Sequence, residues 1–289
     1  MPSPRRIVSL LVLVSAANAF GALVTVRTGA GLAAATAARD QFRADIGGGT
    51  TAGPNGSFGG LRREIDWDGV PDAFAAPNAF PPNFFNVNSP RGALFSTPGT
   101  GFQVSASAAS GTPVRFGNLD PSYPSELVAF SPERLFTPLG QPVTDVTFTV
   151  PGTNVSAAVS SFGAMFTDVD FPSTTFVDLF GPTGESMGSL NVPVANHDVS
   201  FVGITFITGE KIARVRIRST NDLAPGHHDA LAPPFLGGPI FPDFDVVAID
   251  DLIYSEPVAS GTTIPALSIP MLVLLAGALA AIAALALRS

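Results

Sequence analysis

Short runs of alternating hydrophobic and polar residues recur through the second half of the chain, and they limit its fold more than any other feature. Val146, Phe148 and Val150 alternate with polar residues, and similar runs follow at 162–166, 176–180, 201–206, 211–218 and 246–254. Alternation with a period of two predicts β-strands that bury one face. Glycine and proline separate the runs, and no amphipathic helix lies between them. The sequence therefore predicts an all-β protein, an antiparallel β-sandwich of jelly-roll type.

The part of the chain before these runs contains one helical pattern and long connections. The alanine-rich stretch Leu32–Ile46 predicts a short helix that ends at three consecutive glycines, within an N-terminal segment over residues 20–50. Residues 51–141 are dense in Gly, Pro, Asn and Phe, which predicts ordered loops held by aromatic side chains, with a strand candidate at 102–105. Residues 142–258 are then predicted to form the sandwich core.

The first residues have the layout of a secretory signal peptide. Arg5 and Arg6 precede an apolar run from Ile7 to Val14, and small residues lead to Ala19. A basic start, a short apolar stretch and an A-x-A site predict export and cleavage after residue 19. The alternative, an uncleaved anchor helix, would have to span about 30 Å of hydrocarbon with a short run.

The last residues have the composition of a single membrane helix. Ile269–Leu287 is a run of nineteen residues without a charge, followed by Arg288. At about 1.5 Å per residue it reaches roughly 28 Å, close to the thickness of a bilayer core. Because arginine favours the cytoplasmic side, the rest of the chain is expected outside the cytoplasm. The alternative is a core helix of a soluble domain.

The residues before this helix resemble a known class of sorting signal. Residues 259–268 form a linker that contains Ile264-Pro265-Ala266-Leu267-Ser268, and an Ala/Leu helix and a terminal arginine follow. This order resembles the bacterial C-terminal sorting tails of the IPTL-CTERM and PEP-CTERM type. The resemblance implies processing at the membrane by a sorting protease of the exosortase type and delivery to the cell surface.

Charge and cysteine content exclude several classes of function. The two ends contain three of the 15 basic residues and none of the 23 acidic ones, so the segment between them carries a formal charge of −11, against −8 for the whole chain. An acidic domain of this kind disfavours nucleic acid as a partner. The absence of cysteine excludes disulfides and a cysteine nucleophile, and no G-x-S-x-G motif is present. We therefore predict no catalytic residues.

Two pairs of aspartates are candidate metal ligands. Asp168 and Asp170 lie two residues apart, so on a strand their carboxylates share one side and could hold Ca²⁺ together. Asp250 and Asp251 interrupt an apolar strand, so at least one of them points toward the core and must be hydrogen-bonded, paired or metal-bound. Two interpretations stay open. All four are calcium ligands, or the second pair caps loop amides and the first makes an Asx turn.

Two further features allow a binding or a structural interpretation. Trp67, the single tryptophan, could be a sugar-stacking platform or a hydrophobic anchor. Arg214, Arg216 and Arg218 alternate along a predicted strand and so share one sheet face. That ladder could hold an acidic polysaccharide through bidentate contacts, or be a solvated face neutralised by nearby aspartates.

Three stretches resemble a large set of uncharacterised bacterial exported proteins: residues 63–70, 162–170 and 246–254. The β-domains of those proteins resemble carbohydrate-binding jelly rolls, which implies a structural Ca²⁺ held by an aspartate of the last strand. We predict an exported, membrane-anchored or surface-sorted protein with a non-enzymatic structural or binding role in the cell envelope or extracellular matrix. The alternatives are a calcium-stabilised carbohydrate-binding module and a hydrolase of surface polysaccharide, since spacing in sequence does not decide whether two carboxylates face each other.

Overall fold

The computed structural model describes residues 22–219 and 245–260, and these residues form two antiparallel β-sheets with a shared hydrophobic core. The predicted signal peptide at 1–19, the sorting motif and the predicted transmembrane helix at 269–287 lie outside the described residues. Among the residues that are described, no helix has the length and hydrophobicity needed to cross a membrane.

The first sheet has eight strands, drawn from the whole length of the described chain. They are β1 (Val24–Ala30), β2 (Ser57–Phe58), β3 (Arg62–Ile65), β5 (Gly101–Val104), β6 (Phe136–Leu139), β9 (Ser161–Val169), β12 (Ala195–Phe206) and β14 (Ala248–Ser255). Their hydrogen-bonded order is β1, β12, β9, β14, β3, β2, and β6 pairs with both β14 and β5.

The second sheet has seven strands. They are β4 (Ala93–Ser96), β7 (Val143–Thr149), β8 (Ser156–Ala158), β10 (Phe176–Phe180), β11 (Ser186–Asn191), β13 (Arg214–Arg218) and β15 (Val258–Ala259). Their order is β11, β10, β13, β7, β8, β15, and β4 pairs with β7. Three short helices connect strands: α1 (Leu32–Ile46), α2 (Phe84–Val87) and α3 (Tyr123–Glu126). Single 3₁₀ turns occur at Pro54–Gly56, Asp72–Phe74 and Ala108–Ser110.

The strands predicted from alternation are confirmed. Each of the six predicted runs lies in a strand, namely β7, β9, β10, β12, β13 and β14, and the helix predicted at Leu32–Ile46 is α1. The candidate at residues 102–105 lies in β5. The structure adds strands that the sequence did not show, because β2, β8 and β15 contain only two or three residues and carry no measurable alternation.

The two sheets cross the predicted boundary at residue 141. The sandwich is not confined to residues 142–258, because β3 and β6 pair with β14 and β4 pairs with β7. Residues 51–141 and 142–258 therefore form one structure, because strands of the first segment pair with strands of the second in both sheets. Such pairings between distant segments leave no periodic signal in a local stretch of sequence.

The main core lies between the two sheets. Phe162, Ala164 and Phe166 of β9 belong to it, together with Val215 and Ile217 of the second sheet. The residues between them on β9 face the other side, and all nine residues of β9 are buried. The first sheet is thus covered on both faces at β9, which fits the uninterrupted run of apolar residues and glycine from Phe162 to Phe166.

The outer face of the first sheet is covered by two smaller clusters. In one, Phe42 of α1 packs on Phe201, with ring centroids 5.6 Å apart. Gly163 and Gly203 pair across β9 and β12 beneath it, and a Cβ at either would lie within 2.8 Å of the Phe42 ring. The helix can approach the sheet this closely only because both positions lack a side chain. The other cluster includes Phe116, Tyr123 and Val246.

Candidate functional site

Asp250 and Asp251 lie in a bulge of β14 and are buried, with 0% and 5% of their surfaces exposed. The register between β14 and β9 shifts between Ile249 and Leu252. A bulge breaks the ordinary alternation of side chains. Both carboxylates therefore reach the hydroxyl of Ser131, at 2.8 and 2.9 Å from its Oγ.

The two carboxyl groups of this pair hold protons more tightly than isolated ones. Burial raises the pKa of Asp250 well above its ordinary range, and the charge of Asp251 raises it further. Burial likewise raises the pKa of Asp251. Hydrogen bonds with Asp250 and Ser131 and the charge of Arg43 lower this pKa, but they do not outweigh burial. Two carboxylates this close cannot both ionise easily, so the pair shares a proton.

The buried pair holds a loop in place. Asp250 accepts the backbone N–H groups of Phe130 and Ser131 through its carboxylate. Nearby, Asp68 accepts the backbone N–H groups of Glu133 and Arg134 at 2.6 and 3.0 Å. These contacts are those of a cap on loop amides, one of the two interpretations that the sequence left open for Asp250 and Asp251. The sequence pointed to neither Ser131 nor Asp68 as a partner.

Asp168 and Asp170 lie at the end of β9, but they do not form an Asx turn. The N–H of Asp170, which such a turn would use, donates instead to Asp245 at 3.1 Å. The Oδ1 of Asp168 accepts the backbone N–H of His197 at 2.8 Å. Asp168 has φ 65°, and this left-handed backbone ends the regular alternation. The hydrogen bonds at both residues are thus made to distant parts of the chain, Asp245 and His197, and not to each other as in an Asx turn.

Calcium binding by Asp168, Asp170, Asp250 and Asp251 stays a prediction. Within residues 22–219 and 245–260, no three His, Asp or Glu side chains converge as a metal site requires. The raised pKa values of Asp250 and Asp251 show that this pair binds a proton more readily than isolated carboxyl groups do.

If Ca²⁺ binds the native state, EDTA is expected to lower the melting midpoint of the full chain. A ligand at 100 times its Kd adds about 2.7 kcal/mol to the free energy of unfolding. Calorimetric melting with and without EDTA measures the effect, and Asp168→Asn should make the chain insensitive to EDTA. An unchanged midpoint in the wild-type chain would contradict calcium binding.

Trp67 is a hydrophobic anchor, and the sugar-platform interpretation is wrong. Its side chain has no exposed surface. The indole stacks on Phe136 with centroids 4.2 Å apart and contacts Phe80, Phe85 and Phe95. Its N–H donates to the carbonyl of Asp250, which ties the anchor to the bulge of β14. A ring buried on all sides cannot stack on a ligand.

The three predicted arginines lie on the outer face of the second sheet and are paired with aspartates. The carboxylate of Asp145 accepts one hydrogen bond from Arg214 at 2.8 Å and two from Arg216 at 2.8 and 2.9 Å. The carboxylate of Asp178 accepts one from Arg218 at 2.8 Å. The prediction of a ladder on one face is confirmed, and two aspartates pair with its three arginines. The side chains are 30%, 42% and 44% exposed, in order.

Two phenylalanines support the outer arginines. The Arg214 guanidinium lies 3.7 Å from the Phe180 ring centre, and that of Arg218 lies 4.1 Å from the Phe176 ring centre. Stacking on an aromatic face fixes the plane of a guanidinium and adds a cation–π attraction. The alternation of these phenylalanines with Val177 and Leu179 places them on the face opposite the core, but it does not indicate that they contact arginines.

A polar row crosses five neighbouring strands of this face. Its members are direct cross-strand partners: Ser189 on β11, Asp178 on β10, Arg216 on β13, Asp145 on β7 and Ser96 on β4. Four inter-strand spacings make the row about 19 Å long. We call the row and the two Phe–Arg stacks beside it the arginine face.

A cleft of about 510 Å³ adjoins one end of the arginine face. Leu94 and Thr147, which are cross-strand partners, form part of its lining. Other lining residues are Asn154, Ser156, Pro182, Ala213 and Ser260. This volume falls within the range of small-molecule sites, roughly 300–1,000 Å³. Hydroxyl, amide and apolar groups therefore meet beside the arginines in a concave surface.

Comparison with known proteins gives little further information. No family model and no curated protein matches the chain. Among solved structures it is similar to a mutant of a family 29 carbohydrate-binding module, studied for its mechanism of ligand recognition. The identity is 13%, the match covers 60% of this chain and 99% of that one, and the TM-score is 0.23. A TM-score this low carries no argument about function.

Proposed function

We propose that the protein is an exported, membrane-anchored binding protein whose arginine face holds a polysaccharide of the cell surface or extracellular matrix without cleaving it. One observation carries this proposal. Two clusters cover the outer face of the first sheet, whereas the second sheet presents exposed charged and polar side chains in fixed positions.

The arginine face is suited to bind hydroxyl-rich chains. Ion pairs hold its guanidinium and carboxylate groups in place, and each guanidinium has five N–H donors, of which the pairs use one or two. Side chains that are already fixed lose little rotamer entropy when a ligand binds. The row is therefore an ordered set of donors and acceptors that extends across five strands, a distance of about 19 Å.

The carboxylates of Asp145 and of the Asp250–Asp251 pair support binding rather than hydrolysis. Burial by itself raises the pKa of Asp145, but hydrogen bonds from Arg216 and Arg214 outweigh it, so the net pKa lies below the ordinary value. Asp145 therefore stays ionised and is a poor general acid. Asp250 and Asp251, whose pKa values are raised, are buried beneath the loop that they hold.

The order of strands supports a jelly roll as the finer description of the sandwich. From β9 to β14 the chain crosses repeatedly between the sheets, since β9, β12 and β14 lie in the first sheet and β10, β11 and β13 lie in the second. A jelly roll alternates in this way between two sheets.

Export, anchoring and sorting rest on the sequence of the two ends. We propose cleavage after Ala19, a membrane helix at 269–287 and processing by an exosortase-type protease. The described structure stops at Ser260, so eight residues separate it from the proposed helix and reach at most about 28 Å. N-terminal sequencing of the mature protein, expected to begin at Phe20, tests the export step.

Binding is tested with the purified full chain in detergent on a polysaccharide array, alongside an assay for released reducing ends. We expect binding to at least one polysaccharide and no release of reducing ends. Arg216→Gln, at the centre of the row, should weaken binding about tenfold, since a hydrogen bond to a charged group contributes about 1.5–3 kcal/mol.

Arg27→Gln is the matched control, because Arg27 is also exposed and paired with an aspartate, but it lies on the edge strand of the first sheet. Release of reducing ends would establish the hydrolase instead. A chain that binds nothing on the array would leave only a structural role.

A further inference from the structure

We propose that the cleft beside Arg214 binds a uronic acid residue of an acidic polysaccharide, with the sugar carboxylate on the Arg214 guanidinium. This inference rests on the proposed function and names the class of ligand. It depends on two independent observations, the concave surface and an imbalance of charge at its edge.

The cleft offers the two kinds of surface that a sugar ring requires. Leu94, Pro182 and Ala213 provide apolar contacts for the C–H groups of a ring. Thr147, Asn154 and Ser156 provide hydroxyl and amide groups for its oxygens. The cleft is open to solvent and continuous with the arginine face through Leu94 and Thr147, so one residue of a long chain can enter while its neighbours lie along the row.

Arg214 stands at the edge of this cleft. It is the cross-strand partner of Thr147 and the chain neighbour of Ala213, both of which line the cleft. Its guanidinium is stacked on Phe180, two residues before Pro182, which also lines the cleft. A group in the cleft is therefore within reach of a guanidinium whose plane is already fixed.

The arginines of the arginine face outnumber the carboxylates that pair with them. A single carboxylate, that of Asp145, serves both Arg214 and Arg216, and its Oδ1 accepts from both. Arg216 takes the bidentate contact, whereas Arg214 uses its Nη1 for Asp145. The arginine face as a whole has three guanidinium groups and two carboxylates. A carboxylate from the ligand would restore the balance at Arg214.

The net charge of the domain means that a preference for a carboxylate must come from short-range contacts. Because the segment between the two ends carries a formal −11, long-range forces repel an acidic polymer. Attraction must then come from direct contact of the carboxylate with a guanidinium, in a fork geometry that suits both groups. Methyl-esterified uronate, which keeps the ring and loses the charge, should bind much more weakly.

The test measures binding of the purified full chain to polygalacturonate, to alginate and to fully methyl-esterified polygalacturonate by calorimetry. We expect at least one of the two acidic polymers to bind about tenfold more tightly than the ester. Arg214→Gln should remove the preference, and Arg27→Gln should keep it. Ser156→Tyr, which fills the cleft and leaves all charges in place, should weaken binding of the acidic polymer.

Three results would overturn the inference. They are equal affinity for acid and ester, an Arg214→Gln variant that melts normally and keeps the preference, and a Ser156→Tyr variant that binds as the wild type does. In each case a polysaccharide still binds, so the proposed function stands. Failure to bind any polysaccharide would instead remove the proposed function itself.

Discussion

Replacing Trp67 with alanine is expected to destabilise the domain by about 4 kcal/mol, the largest effect of any single substitution considered. Trp67 is fully buried and joins four phenylalanine rings: Phe80, Phe85, Phe95 and Phe136. Alanine would leave a cavity among rings that come from several strands and loops. For a domain of this size the melting midpoint should fall by about 8–16 °C.

Circular dichroism during thermal and urea unfolding measures this loss, since the variant has no tryptophan to report by fluorescence. Trp67→Phe is the matched control. It keeps an aromatic ring in the cluster and removes the N–H that donates to the Asp250 carbonyl, so it should cost about 1–3 kcal/mol. A loss below about 1 kcal/mol for the alanine variant would show that the cluster is not the anchor of the fold.

Raising the pH is expected to weaken the domain through the Asp250–Asp251 pair. Burial raises the pKa of both groups in the folded state, so the folded chain binds more protons than the unfolded chain. The proton-linked stability is fully present below the unfolded aspartate pKa of about 3.9, and it is lost as the pH rises through the raised folded values. Two groups facing Asp251 act in opposite directions, since Arg43 lowers its pKa and Asp66 raises it.

Asp251→Asn should reduce this loss. The amide supplies a permanent N–H where the pair otherwise shares a proton, and Asp250 keeps its contacts with the loop at 130–131. Urea unfolding between pH 5 and pH 9 measures the slope. The variant should show a shallower fall than the wild type, whereas Asp45→Asn, which alters an exposed ion pair with Arg27, should keep the wild-type slope. Equal slopes for all three chains would contradict a shared proton.

Asp250→Ala separates the anchoring role from the titration. This variant leaves the buried N–H groups of Phe130 and Ser131 without their acceptor, so it should lose about 2–4 kcal/mol at any pH.

The six main strands and α1 were predictable because each carries its own signal. The runs at 143–149 and 176–180 bury one face against the core, and that asymmetry appears as alternation in the sequence. Helix α1 places Ala35, Ala38 and Phe42 at helical spacing and ends at glycine. The short early strands β2, β3, β4 and β6 were not predictable, because two to four residues are too few to show alternation.

The candidate site was predictable only in part. The three arginines on β13 share a face wherever that strand is placed, so their ladder followed from the sequence. Their partners Asp145 and Asp178 lie on neighbouring strands, and only the order β10, β13, β7 brings them to the arginines. The cleft draws its walls from β4, β7, β8 and the segments beside β10 and β13, so no single stretch of sequence could indicate it.

The class of fold and the two faces of each long strand could be predicted from local sequence, because alternation is a local property that the backbone geometry imposes. Tertiary structure alone decided what the polar residues do. It buried Trp67 and the Asp250–Asp251 pair as structural elements, and it left the arginine face exposed beside a cleft. These roles depend on which side of a sheet receives a covering helix or loop, and that choice is made by packing between distant segments rather than by neighbours in the chain.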